Sequence, residues 1–201
     1  MKPNSVVRLP AARPPRPLPR SRAAGITLVE LMVTLAVVTI VAALGVPSFL
    51  RLLGRHAIAA QAEELQDAVR LGRNEAMKRS GPVVLCRTEP TNTSRCAGTG
   101  GNWQTWLLFT DLARNGAFAA GDSIVRQHLD VSNRMTVVGT PASVRFEATG
   151  IAHADSGDMV FTFSPTGSAS DPGGSDRALQ RQVCVNPRGE VVVIGGGATC
   201  P

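Results

Sequence analysis

Hydrophobic and polar positions divide the chain into three stretches. Residues 26–50 are almost continuously apolar, and their one ionisable group, Glu30, lies five residues past Gly25. A helix needs about 20 apolar residues to cross a bilayer core, so this run is long enough, and a carboxylate within it is costly unless a partner pairs with it. Residues 51–79 follow another pattern. Ile58, Ala62, Leu65, Val69 and Ala76 keep to one helical face, with Glu63, Glu64, Asp67, Arg70 and Arg73 interspersed, which predicts an amphipathic helix. Continued from the apolar run, it makes one rod of about 54 residues and roughly 80 Å. Gly45, Pro47 and Gly54 interrupt the rod, and proline deletes a helical hydrogen bond, so a kink or local melting is expected at Pro47. A kink serving packing alone is an equal reading, since membrane helices tolerate proline.

From Gly81 the pattern changes again, to short runs rich in β-branched and aromatic residues separated by Gly, Pro, Asn, Asp and Ser. Candidate strands are 83–86, 106–110, 123–128, 135–138, 144–147, 159–163, 181–185 and 190–194. Alternation such as Val144/Phe146 and Phe161/Phe163 gives strands with one buried face. One long helix followed by such runs predicts an α+β fold in which an antiparallel sheet covers the helix's apolar face.

Charge alters the picture mainly at the amino terminus. Residues 1–25 hold Lys2, Arg8, Arg13, Arg16, Arg20 and Arg22, no acid, and a proline-broken stretch that forms neither helix nor core. Beside an apolar span this basic segment marks the cytoplasmic side, leaving the rest of the chain facing outward. A secretory signal peptide fits less well, because its apolar core is only about 7 to 15 residues and is removed on cleavage. Of the 21 Lys and Arg residues, six lie in this segment, leaving 15 against 15 acids. The basic excess therefore belongs to the leader and is discounted as a sign of a nucleic-acid partner.

Cys86, Cys96, Cys184 and Cys200 all fall in the outward-facing part, where disulfides persist. Three pairings exist; sequence proximity favours Cys86 with Cys96 and Cys184 with Cys200. A zinc site is the rival reading, disfavoured by the absence of a Cys-x-x-Cys pair. His56, His128 and His153 stand in no catalytic or metal-binding motif, so no catalytic residue, metal or cofactor is expected. In the segment 111–122, Asp111, Asn115, Gly116 and Asp122 match a calcium loop at four positions. Ala113 cannot ligate and Asp122 replaces the bidentate Glu, so a turn between two strands is the better reading.

The Gly25 junction, Glu30 and the apolar run resemble the amino terminus of type IV pilins and type II secretion pseudopilins. Leu65, Ala68, Leu71, Arg73, Asn74-Glu75-Ala76, Lys78-Arg79, Pro82-Val83, Leu85-Cys86 and Trp106-Leu-Leu-Phe109 narrow the resemblance to the GspH/FimT family of minor pilins. It implies a pilin-like fold, cleavage by prepilin peptidase between Gly25 and Ile26, N-methylation of Ile26, and a structural place in the initiating or tip complex of a pilus or pseudopilus. Ile26 stands where Phe is usual, the leader is longer than most, and Pro47 falls at mature position 22, where pilins often carry proline. The implied organisation is a leader at 1–25, a transmembrane and assembly helix at 26–53, and a periplasmic head at 54–201, with helix to 79 and β-rich chain from 80. Implied partners are other minor and major pilins or pseudopilins, the peptidase and inner-membrane lipid. In the bundle Glu30 meets the α-ammonium of a neighbour's Ile26.

A pilus-tip binding module for DNA or a surface, and an enzyme on an anchor, are the competing classes. Some FimT-like proteins take up DNA through a carboxy-terminal Gly-Arg-x-Arg motif, but the matching positions here read Gly189-Glu190-Val191-Val192. Phosphate binding needs positive charge, so weak or no DNA binding is expected. Arg177, Arg181 and Arg188 are the remaining candidate contacts if the fold gathers them.

Overall fold

The computed structural model describes residues 25–98, 102–129, 135–155, 157–166, 177 and 179–201. The basic leader expected at 1–25 therefore lies outside the described residues except for Gly25. The chain divides into two units, Met1–Leu44 and Gly45–Pro201. The described part of the first is Gly25, Ile26 and Thr27 in non-helical conformation, followed by the start of helix α1 (Leu28–Arg79, 52 residues). Its apolar side chains are exposed on every side, and Leu28–Val46 has a mean hydropathy of 2.4, apolar and long enough to cross a membrane. The helical assignment runs through Gly45, Pro47 and Gly54 without a break.

In the second unit the same helix becomes one-sided. Ile58, Ala62, Leu65, Ala68, Val69 and Ala76 are buried, whereas Glu63, Asp67 and Arg70 on the other side are exposed. The helix ends in a reversal of chain: Ser80 takes a left-handed conformation (φ 52°) and the Gly81 N–H reaches back to the Ala76 carbonyl (3.2 Å). Lys78 and Arg79, in the last turn, sit where the helix dipole favours cations. Both pair with Glu75, and the Arg79 hydrogen bond (2.6 Å) is the main cause that holds the Glu75 carboxyl below its usual range.

Among the described residues ten strands follow: β1 (Val83–Glu89), β2 (Asn92–Cys96), β3 (Trp106–Thr110), β4 (Ile124–His128), β5 (Met135–Gly139), β6 (Ser143–Phe146), β7 (Ala152–Ala154), β8 (Met159–Pro165), β9 (Arg181–Val185) and β10 (Val191–Gly195). They form two antiparallel sheets, not one. The first has the order β4-β3-β1-β6-β7 with β2 hung from β1, and the second the order β10-β9-β8-β5. Both contribute to the core beneath α1: Leu85, Leu108, Val144 and Phe146 from the first, Val137, Phe161, Phe163 and Val183 from the second. The first sheet is buried on its other face too. There Val84, Cys86, Leu107 and Phe109 lie under Phe118 of the β3–β4 connection, whose ring meets Phe109 edge-on at 5.3 Å. This is why β1 and β3 read as continuous apolar runs and not as alternating strands.

Helix and sheet approach each other closely at Gly72. A Cβ there would fall 2.9 Å from the Phe146 ring and 3.0 Å from Leu108 Cδ1. The helix thus accepts a residue of poor helical propensity in return for direct contact with the first sheet. Gly72→Val is expected to destabilise the protein by about 1–3 kcal/mol through overpacking, read as a lowered denaturation midpoint of the full chain in detergent. An unchanged midpoint would contradict this packing.

Candidate functional site

The amino-terminal segment is organised by one side chain. Thr27 caps α1, its hydroxyl accepting the Glu30 N–H (3.2 Å) while its carbonyl accepts the Leu31 N–H (3.1 Å). Gly25 and Ile26 are therefore held outside the helix and exposed, with open space around the Gly25 α-carbon. A peptide bond in such a segment can be drawn into a protease cleft without unwinding helical turns. Glu30 lies in the first helical turn, where the macrodipole favours a carboxylate. It is exposed on an otherwise apolar surface, and among the described residues its carboxylate has no ion-pair partner.

The cysteines lie in the strand-bearing part of the chain. Cys86 is bonded to Cys96 (Cα–Cα 5.5 Å), fastening the β2 hairpin to β1, and Cys184 to Cys200 (Cα–Cα 5.7 Å), fastening the carboxy-terminal tail to β9. The candidate DNA contacts are not gathered. Arg181 begins β9 opposite Gly195, with Arg177 preceding it, whereas Arg188 lies in the β9–β10 turn at the other end of the hairpin. Arg188 is also paired with Glu190 at 3.5 Å. The Glu190 carboxyl is held below its usual range, first by a hydrogen bond from Asn186 (2.7 Å) and then by the nearby Arg188 charge.

The calcium-like loop uses its oxygens on itself. Asp111, fully buried, accepts the N–H groups of Asn115 (3.0 Å) and Gly116 (2.8 Å) and pairs with Arg145 (2.9 Å). Asp122 accepts from Leu112 and Ala119, both at 2.9 Å, and Asn115 from Ala117 at the same distance. These bonds build the β3–β4 turn that carries Phe118 onto the second face of the first sheet. Among the described residues no group of three or more metal-ligating side chains occurs.

One cluster was not visible from the sequence. Glu64 of α1 accepts from His128 Nδ1 (3.0 Å) and Arg126 Nη2 (3.3 Å), both on edge strand β4. His128 stacks on Trp106 at 5.5 Å, and the Arg126 guanidinium lies 6.0 Å from the same ring. The cluster ties helix to sheet edge. His56 and His153 are exposed and His128 is buried.

A membrane-length apolar helix that turns one-sided under antiparallel sheets, with a capped, carboxylate-bearing amino-terminal turn, is the build of a pilin-type subunit. Comparison with known proteins agrees. The prokaryotic amino-terminal methylation motif matches residues 20–46, and the family described as type II transport protein GspH matches residues 61–189. The chain belongs to the GspH family and is a minor pilin or pseudopilin subunit. No curated protein matches it significantly. Two crystal structures of the Pseudomonas aeruginosa type IV minor pilin FimU are similar at 15% identity. One gives a TM-score of 0.44, covering 70% of this chain and 94% of its own; the other gives 0.46, covering 72% and 92%.

Asp111→Ala is expected to lower stability by about 3 kcal/mol, at the low end for a broken buried pair because Arg145 stays partly solvated. Denaturation of the full chain checks it. A loss below about 1 kcal/mol would mean that the turn holds without this carboxylate.

Proposed function

We propose that the chain is a structural subunit of the initiating or tip complex of a type IV pilus or type II secretion pseudopilus. In this reading it is anchored by residues 26–53 in the inner membrane, with its leader cytoplasmic and its head, residues 54–201, periplasmic. The observation that carries the reading is the Glu30 carboxylate, without an ion-pair partner among the described residues, on a helix that is apolar all round. A lone charge there is costly in lipid, and a second subunit can relieve it. Cleavage between Gly25 and Ile26 creates an α-ammonium four residues before Glu30, and the same group on a neighbour supplies the counter-charge. N-methylation of Ile26 leaves it cationic. Repeated head-to-tail contacts of this kind do not close on themselves, so they propagate as a filament. The partners are accordingly other minor and major pilins, the prepilin peptidase and membrane lipid. The subunit performs no catalysis of its own.

Mass spectrometry of the membrane-extracted protein is expected to find Ile26, methylated, as the first residue; an intact leader in cells with active peptidase would contradict this. Glu30→Ala is expected to leave membrane insertion intact and to reduce recovery of partner pilins about a hundredfold, because it strands the neighbour's ammonium. Fractionation combined with pull-down separates the two effects, and wild-type recovery by the mutant would refute the pair.

DNA uptake is the alternative role, and the separation of Arg181 from Arg188 along the hairpin weighs against it. Gel-shift titration of the full chain in detergent is expected to show no shift at physiological salt. Micromolar, salt-sensitive binding lost on replacing Arg177, Arg181 and Arg188 would establish the alternative.

A further inference from the structure

The apolar segment Leu28–Val46 holds three polar side chains, Glu30, Thr34 and Thr39, all exposed on the helix surface. Thr34 Oγ1 donates to the Leu31 carbonyl (2.9 Å) and Thr39 Oγ1 to the Ala36 carbonyl (2.8 Å), so each hydroxyl uses its one proton inside the helix. A hydroxyl oxygen keeps its acceptor capacity after donating. The two threonines differ in where they stand. Thr34 lies four residues past Glu30, about one turn further along the same face, whereas Thr39 lies nine residues past it, about two and a half turns, on the opposite face. Glu30 and Thr34 therefore present two acceptors side by side, on a surface where lipid offers no water to fill them.

A cation that reaches both has to fit their spacing. Side chains four residues apart on a helix have Cβ atoms about 5–6 Å from each other. Two N–H groups of one tetrahedral nitrogen, each making a hydrogen bond of about 2.9 Å, hold their acceptors about 4.7 Å apart. A single nitrogen thus spans the carboxylate and the hydroxyl. The donor count agrees as well: an N-methylated α-ammonium carries two N–H groups, and in apolar surroundings a donor without an acceptor is costly. The chain's own Ile26 does not complete this bridge. Thr34 lies eight residues beyond it, about 12 Å along a helix, and the Thr27 cap holds Ile26 outside the first turn.

We propose that Glu30 and Thr34 form a two-acceptor seat for the methylated amino-terminal ammonium of another pilin-type subunit, one N–H donating to the Glu30 carboxylate and the other to Thr34 Oγ1. The inference rests on the minor-pilin reading and deepens it. Thr34 is the positioning residue that restricts the seat to a neighbour's terminus, and methylation matches the number of donors to the number of acceptors.

The test uses the full-length chain, extracted in detergent from cells that make the other pilins, with partner pilins quantified after pull-down and membrane insertion checked by fractionation. Thr34→Val keeps the side chain's shape and removes its hydroxyl. It is expected to lower partner recovery about tenfold, the scale of one hydrogen bond to a charged group. Thr34→Ser keeps the hydroxyl and is expected to match wild type. So is Thr39→Val, which loses the same kind of intrahelical bond on the opposite face. In the Glu30→Ala background Thr34→Val is expected to cause no further loss, because the ammonium is no longer seated. Wild-type recovery by Thr34→Val, an equal loss in Thr34→Ser or Thr39→Val, or a full further loss in the Glu30→Ala background would overturn the proposal. If Glu30→Ala lowered recovery and Thr34→Val did not, the Glu30 pair would stand without the second acceptor; if neither did, both would fall.

Discussion

The structure depends on one helix meeting two solvents. Over Leu28–Val46 α1 is apolar on every side, and from Ile58 to Ala76 only one face is apolar, the rest being polar, charged or small. Each half has its own solution to burial. The first is stable where its surroundings are as apolar as itself, in lipid or among other such helices. The second is stable because two sheets close over its stripe. Gly72 marks how tightly they close, and the Glu64 cluster ties the helix to β4 at the sheet edge. Everything downstream, including the second face of the first sheet under Phe118, is built outward from that contact.

The periodic features were legible in the sequence. The stripe of Ile58, Ala62, Leu65, Val69 and Ala76 is buried, and each of the eight expected strands occurs within a residue or a few of its bounds. What escaped was non-periodic or long-range. β2 reads Asn-Thr-Ser-Arg-Cys, polar throughout, and is a strand only because Cys96 is bonded to Cys86 and Thr88 pairs across to it. β7 has three residues, too few for any alternation to register. The division into two sheets depends on which strands pair, and strands of similar pattern do not announce their neighbours. Glu64 and His128 lie 64 residues apart, so neither marks the other.

The candidate site was legible for a different reason. Its elements are local: a small residue, an apolar run and one carboxylate within a single turn of its start. The capping role of Thr27, which holds Ile26 outside the helix, emerged only with coordinates. The carboxy-terminal arginines show the opposite case, since only the hairpin register places Arg181 and Arg188 at its two ends.

The central claim is the proposal that Glu30, without an ion-pair partner among the described residues, is completed by another chain. Solid-state NMR tests this most directly, on an assembled complex mixed from subunits labelled with ¹⁵N at the Ile26 amine and subunits labelled with ¹³C at the Glu30 carboxyl. The account predicts an intermolecular ¹⁵N–¹³C contact within about 4 Å, the reach of an ion pair. An assembled complex in which that contact is absent, or arises only within single chains, would contradict it.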